Sequence, residues 1–315
     1  MVDFRYHLVS IIAVFLALAL GIVVGTTALN GRLLDGLRGS INTLTAEKRE
    51  LEAAVGDLRG QTSADDRLVE QLAPGAVAGV LDGERVVLVN APNAPAGVAD
   101  ALEPLLQQAG ATVSGQVGLR PDLLDPDKRE VVARVVAEVA PAGVDLTSED
   151  PVEQAGQELG AALLRPAGGG EGISAAAADS VLAGFQDLDL IDLGRDLGAR
   201  ATLAVVVTGT PATSADPSLP AQRVQGLLSV TRALDEAGRG AVLVGPLAAS
   251  DPGGALAALR ADGGLSERVS SVDGADRAPG RLSAVFALRE QAAGAAGRYG
   301  SGPGSDGALP SPAPR

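Results

Sequence analysis

The side chains able to do chemistry in this sequence are carboxylates, hydroxyls and amides, because the other reactive types are almost missing. Cysteine is absent, histidine occurs once as His7, and methionine occurs once as Met1. Without cysteine, neither a disulfide nor a thiolate metal site can form. A Ser-His-Asp or Cys-His relay is excluded, since His7 borders a long apolar run. There is no P-loop spacing and no HExxH, and Val89 to Pro95 lacks the glycine-rich turn of a dinucleotide site. What remains is a set of polar residues expected at the carboxyl ends of strands, where open α/β sheets bind ligands. These are Asn90 and Asn93, Thr208, Thr210 and Thr213 of TGTPATSADP, Asp251 after Ser250, and Asp273 with Asp276. Each has a competing role as a helix cap or turn former. Asp187, Asp189 and Asp192 alternate as one solvent-facing side of a strand does, and need not form a hard-metal cluster. The sequence therefore predicts no catalytic residue, no cofactor and no metal site.

The elements that must position those residues are read from hydrophobic period. Short, nearly continuous apolar runs predict strands at Arg85–Asn90, Ala111–Val117, Leu188–Leu193, Thr202–Val207, Ala241–Gly245 and Arg268–Val272. Helical periodicity predicts helices at Val98–Ala109, Lys128–Val139, Val152–Leu164, Ala175–Gln186, Ala221–Ala237, Gly254–Ala261 and Leu282–Ala293. The alternation predicts an α/β fold whose mainly parallel sheet is covered by helices on both faces. Phe286 is expected in the buried face of the last helix, and the charged loop before that helix is expected to serve function rather than stability. The Gly- and Pro-rich end from Gly300 is expected to be disordered.

Ahead of this body lies a different pattern. Leu8 to Leu29 carries no charge, and 22 residues at 1.5 Å rise span about 33 Å, enough for a hydrocarbon core of about 30 Å. The competing reading is a cleaved signal peptide, whose apolar region normally runs only about 7–15 residues. Length favours a retained transmembrane helix. Ala13, Ala17, Gly21 and Gly25 form a small-residue stripe suited to helix packing in lipid. Leu37, Ile41, Leu44, Leu51, Val55, Leu58, Val69 and Leu72 then follow steps of four and three, with Lys48, Thr62 and Asp65 in the remaining slots. That seam predicts a coiled-coil stalk and a parallel homodimer. The competing reading is one amphipathic helix packed on its own domain. The expected organisation is 1–29 for the N-tail and membrane helix, 30–73 for the stalk, 74–299 for the α/β domain and 300–315 for the tail, with Pro74-Gly75 ending the stalk helix.

The chain has 39 acidic residues against 25 Lys and Arg, a formal charge of −14. No basic patch is available for a phosphate backbone, so no nucleic-acid partner is expected. A naive positive-inside count, Arg32, Arg38, Lys48 and Arg49 (offset by Asp35, Glu47 and Glu50) against Arg5, would put the body in the cytoplasm. The expected orientation follows instead from the chain's resemblance to a known family.

The whole chain resembles the actinobacterial copper-transport proteins of the mycobacterial MctB type. The segments that carry the resemblance are FRYHLVSIIAVFLALALGIVVG with its leucine heptads, LDGERVVLVNAP, AGATVSGQVGL, and SSVDGADRAPGRLSAVFALREQAAGAAGRYG. The resemblance implies a single-pass, membrane-anchored and extracytoplasmic protein of copper efflux or homeostasis, linked in the type member to a channel. Copper prefers thiolate, thioether and imidazole ligands, and residues 8–315 contain none. Direct coordination by the soluble part is therefore not expected. The alternative reading is a non-catalytic scaffold or regulator with a protein partner in the cell envelope. An envelope enzyme using carboxylates near Thr208–Asp216 ranks last.

Overall fold

The computed structural model describes residues 4–141, 143–170, 172–194, 197–216 and 218–310, without the side chains of 26–38. Helix α1 (Phe4–Val77) is the first element. The chain divides into two compact units, Met1–Asp65 and Asp66–Arg315. In the first unit, Phe4–Gly25 is 22 residues long and apolar enough to cross a membrane. Its small-residue stripe at Ala13, Ala17, Gly21 and Gly25 is exposed. Farther along, Ile41, Leu44, Leu51, Val55 and Leu58 also lie uncovered, Leu51 being 66% exposed. The Leu37 side chain lies outside the described residues.

The second unit begins with the last turns of α1. Asp66 pairs with Arg277 at 3.3 Å and Glu70 with Arg281 at 3.2 Å, while Ala73 and Val77 are buried. The helix does not stop at Pro74-Gly75 as the sequence led us to expect. Pro74 sits within it on the exposed side, and burial of Ala73 and Val77 holds the final turn against the proline's cost of about 3 kcal/mol. Val69 is half-buried and Leu72 exposed, so these two seam positions part company at the unit's edge.

The sheet that follows has the strand order β3-β2-β1-β4-β5-β6-β7. Its strands are β1 (Arg85–Asn90), β2 (Thr112–Leu119), β3 (Ile191–Leu193), β4 (Leu203–Val207), β5 (Ala241–Val244), β6 (Ser270–Val272) and β7 (Arg298–Tyr299). All pairings are parallel except β2 with β3. The apolar runs are explained by burial on both faces. Val86 and Leu88 of β1 face a core made with α2 (Val98–Gln108), α9 (Ala278–Ala292) and the end of α1. Val87 and Val89 face the larger core made with α3 (Arg129–Val139), α4 (Pro151–Leu163), α5 (Ala175–Asp187), α6 (Ser218–Ala237) and α7 (Ala255–Ala261). A one-turn helix, α8 (Gly263–Ser266), is capped by the Asp262 carboxylate.

Two expectations about the end of the chain are corrected. Residues 300–310 are ordered: Gly300 donates to the Gly307 carbonyl, and the Ser283 hydroxyl donates to the Ala308 carbonyl. Residues 311–315 lie outside the described residues. Phe286 is only half-buried, because the buried stripe of α9 runs through Ala284, Ala287, Leu288 and Gln291. Phe185, on α5, is the aromatic that is fully buried.

Helix α4 carries the least comfortable group of the core. Glu158 is 0% exposed, and neither carboxyl oxygen has a hydrogen-bond partner among the described residues. Burial pushes its pKa from 4.5 up to about 7. The folded state therefore holds a proton that the unfolded state has released, so stability falls as pH rises from 4.5 through 7. The shift corresponds to about 3 kcal/mol. Urea unfolding at pH 5 and pH 8 should show this loss, and Glu158→Gln should flatten the difference. An equal slope in both proteins would assign the pH dependence to other groups.

Candidate functional site

The order of strand addition reverses between β1 and β4, and the loops leaving these two neighbours open a crevice at their carboxyl ends. This is the place where open α/β sheets take ligands. The Ala91 amide donates to the Val207 carbonyl at 2.8 Å, and the Thr208 amide to that of Val244 at 2.8 Å, so both loops leave the sheet in register. Asn93 then bridges them, its Nδ2 donating to the Thr210 carbonyl at 3.0 Å. Gly209 is needed at this crossing, because an added Cβ would lie 1.7 Å from the Asn93 carbonyl oxygen.

The crevice has a volume of 180 Å³, with Pro92, Pro121, Pro211 and Pro220 among its walls. A drug-sized ligand needs roughly 300–1,000 Å³, so this space suits a small group. Its charged member is Arg223, from the early part of α6. Arg223 Nη2 lies 2.6 Å from Asp125 Oδ2. The Arg223 hydrogen bond, then the Asp127 amide, hold the Asp125 carboxyl below its usual range. Sequence reasoning missed this pair. Its signal is faint: a cation near a helix N-terminus opposes the helix dipole and needs a reason to be there.

Of the residues expected to form a site, Thr208 and Asn93 line the crevice, and so does Thr210. Asn90 ends β1 and its Nδ2 lies 3.4 Å from Gln116 Oε1, away from the crevice lining. Asp251 is exposed and caps a short 3-10 turn, Leu247–Ser250. Asp276 is exposed, and its carbonyl accepts from Arg281. Among the described residues no cluster of three or more His, Cys, Asp or Glu side chains could hold a metal ion.

Asp273 requires a correction. Rather than an exposed loop charge, it forms a buried ion pair with Arg260 at 2.9 Å, with side-chain exposures of 0% and 4%. Its carboxylate also accepts from the amides of Ser301 and Gly302. Arg260 completes its donors with Ser271 Oγ and the carbonyls of Tyr299 and Pro303. The sequence could not show this, because the partners lie 11 to 43 residues away along the chain.

The architecture defines a protein with an N-terminal helix of membrane-spanning length and a doubly wound α/β body. Beyond that class, the chain belongs to the MctB family, described as "copper transport outer membrane protein, MctB", which matches residues 1–310. Similar proteins named copper transporter MctB occur in Mycobacterium tuberculosis and Mycobacterium bovis. Each is 33% identical over 314 residues, covering 97% of this chain and 98% of the relative. The Mycobacterium leprae protein of the same name is 32% identical over 318 residues, with the same coverage.

Truncating Asp273 to Ala strands a buried guanidinium, and should cost about 3–5 kcal/mol. Replacing both partners, as Arg260→Met with Asp273→Leu, should cost less than Asp273→Ala alone. Chemical denaturation of the three variants checks the ordering.

Proposed function

We propose that this protein is a single-pass envelope protein that takes part in copper transport or copper homeostasis as a parallel homodimer, with its body extracytoplasmic and without a copper site in that body. Family membership over nearly the whole chain carries the copper role. The absence of a soft-ligand site follows from composition: beyond His7 the chain offers no thiol, thioether or imidazole. Among the described residues lining the crevice, no hydroxyl is set beside a carboxylate or imidazole base, which supports a non-catalytic role.

The dimer rests on continuity of two features along α1. Ala13, Ala17, Gly21 and Gly25 allow close approach in lipid, and the uncovered apolar positions from Ile41 to Leu58 repeat at heptad spacing. A second copy with the same seam in the same register would cover both. The uncovered seam also supports a second reading, a scaffold that docks an envelope partner. Growth of a deletion strain on copper, compared with its cell-separation morphology without copper, separates the two functions.

Single cysteines at Leu44 and Leu51 should give disulfide-linked dimers in membranes, while one at Glu47 should not. Cross-linking only at Glu47 would mean the seam is misplaced. Titration of the full chain in lipid nanodiscs with Cu(I) should reveal no tight stoichiometric site. A tight site that survives both His7→Ala and removal of Met1 would contradict the proposal. A C-terminal reporter fusion active only outside the cytoplasm is expected from the proposed orientation.

A further inference from the structure

A second, larger cavity lies at the opposite end of the sheet from the crevice, at the amino end of β1. It measures 720 Å³, within the range of small-molecule sites. Its floor is apolar, built from Val87, Leu163, Ile173 and Leu182. Three arginines line it: Arg85 at the start of β1, Arg165 after α4, and Arg200 before β4. The described carboxylate on its lining is Asp179. Arg200 Nη1 lies 3.5 Å from the Ala161 carbonyl. Arg85 and Arg165 have no ion-pair partner among the described residues. In a chain of net charge −14, two arginines on one cavity with no ion-pair partner among the described residues stand out.

One further feature points the same way. Helix α5, 13 residues long, opens there, with Ser174 as its cap and Ala175 and Ala178 on the lining. Its positive end adds to the field of the arginines.

We propose that this cavity binds an amphiphilic anion, a small molecule with a phosphate or carboxylate group carried on a short apolar body. Arg85 and Arg165 take the oxyanion, and the floor of Val87, Leu163, Ile173 and Leu182 covers the apolar part. Asp179 restricts the charge the site accepts.

Hexyl phosphate is a suitable probe, titrated calorimetrically into the full chain in zwitterionic lipid nanodiscs and corrected with empty nanodiscs. The expected result is saturable binding of one molecule per chain. Arg165→Gln should weaken it at least tenfold. Arg85→Gln should do likewise with an unchanged melting temperature, and Asp179→Asn should tighten it severalfold. Hexanoate binding as well as hexyl phosphate would place carboxylates in the accepted class, and inorganic phosphate and hexanol should each bind much more weakly than either. No saturable heat beyond the empty nanodiscs, or equal affinity in Arg165→Gln and the unaltered chain, would overturn the site. Inorganic phosphate binding as tightly as hexyl phosphate would overturn the amphiphilic class. None of these outcomes depends on copper or on the dimer.

Discussion

A parallel sheet must be covered on both faces, and this chain has to do it with few large side chains. Aromatic residues make up 2% of the sequence. The remaining route to a dense core is close approach of backbones. Helices α4 and α6 show it most clearly. A Cβ added to Gly156 would lie 3.0 Å from the Val230 Cα, and one added to Gly160 would lie 2.8 Å from the Ala237 Cβ. On the other face, Ala284 and Ala287 bring α9 close to β5 and β6. The larger core then needs only one fully buried aromatic, Phe185. Such packing leaves little slack, which is why the uncompensated Glu158 between the two glycines of α4 is costly. Among the described residues its carboxyl oxygens have no hydrogen-bond partner.

The same scarcity explains the C-terminal segment. A Gly- and Pro-rich stretch has too little apolar surface to order itself. Here order is imposed by a charge. Asp273 leaves the end of β6 and accepts two amides from residues 301 and 302, while Arg260 of α7 reaches the carbonyls of Tyr299 and Pro303. The guanidinium and carboxylate satisfy each other and convert backbone groups of an otherwise loose segment into required partners. Strand β7, only two residues long, is held in this way beside β6. A buried ion pair adds little net stability over apolar packing. Its contribution is to specify where the segment must lie.

Legibility in the sequence divides along the same line. Features set by local period were readable: β1 was placed at both ends, and the two-sided cover of the sheet followed from unbroken apolar runs. Features set by distant partners were not. Asp273 reads locally as a turn residue beside Gly274, and nothing near it announces Arg260. Residues 300–310 and β7 depend on that pair, so they were missed with it. Pro74 reads as a stop, and only the burial of Ala73 and Val77 explains why the helix runs on to Val77. At the crevice, Asn93 and Thr208 were found from their place after strands, whereas Arg223 and Asp125 meet across 98 residues of chain. The amino-end cavity gave no sequence signal, since Arg85, Arg165 and Arg200 converge only in the fold.

The charge on the two ends of the sheet bears on how such a body could serve copper transport. A bare copper cation is poorly matched to either. The crevice offers hydroxyl and amide oxygens beside a guanidinium already paired with Asp125, and the larger cavity is edged by arginines that repel a cation. Soft ligands that could outweigh this repulsion are missing from the body's composition. A single apolar helix does not enclose a conduction path either, because lipid-facing helices line a pore only when several assemble with polar groups inward. Under the proposed reading, the body's contribution then comes from surfaces and anionic ligands, while any path for the ion belongs to an assembly. The uncovered seam of α1 is the part of the chain whose spacing is suited to building one.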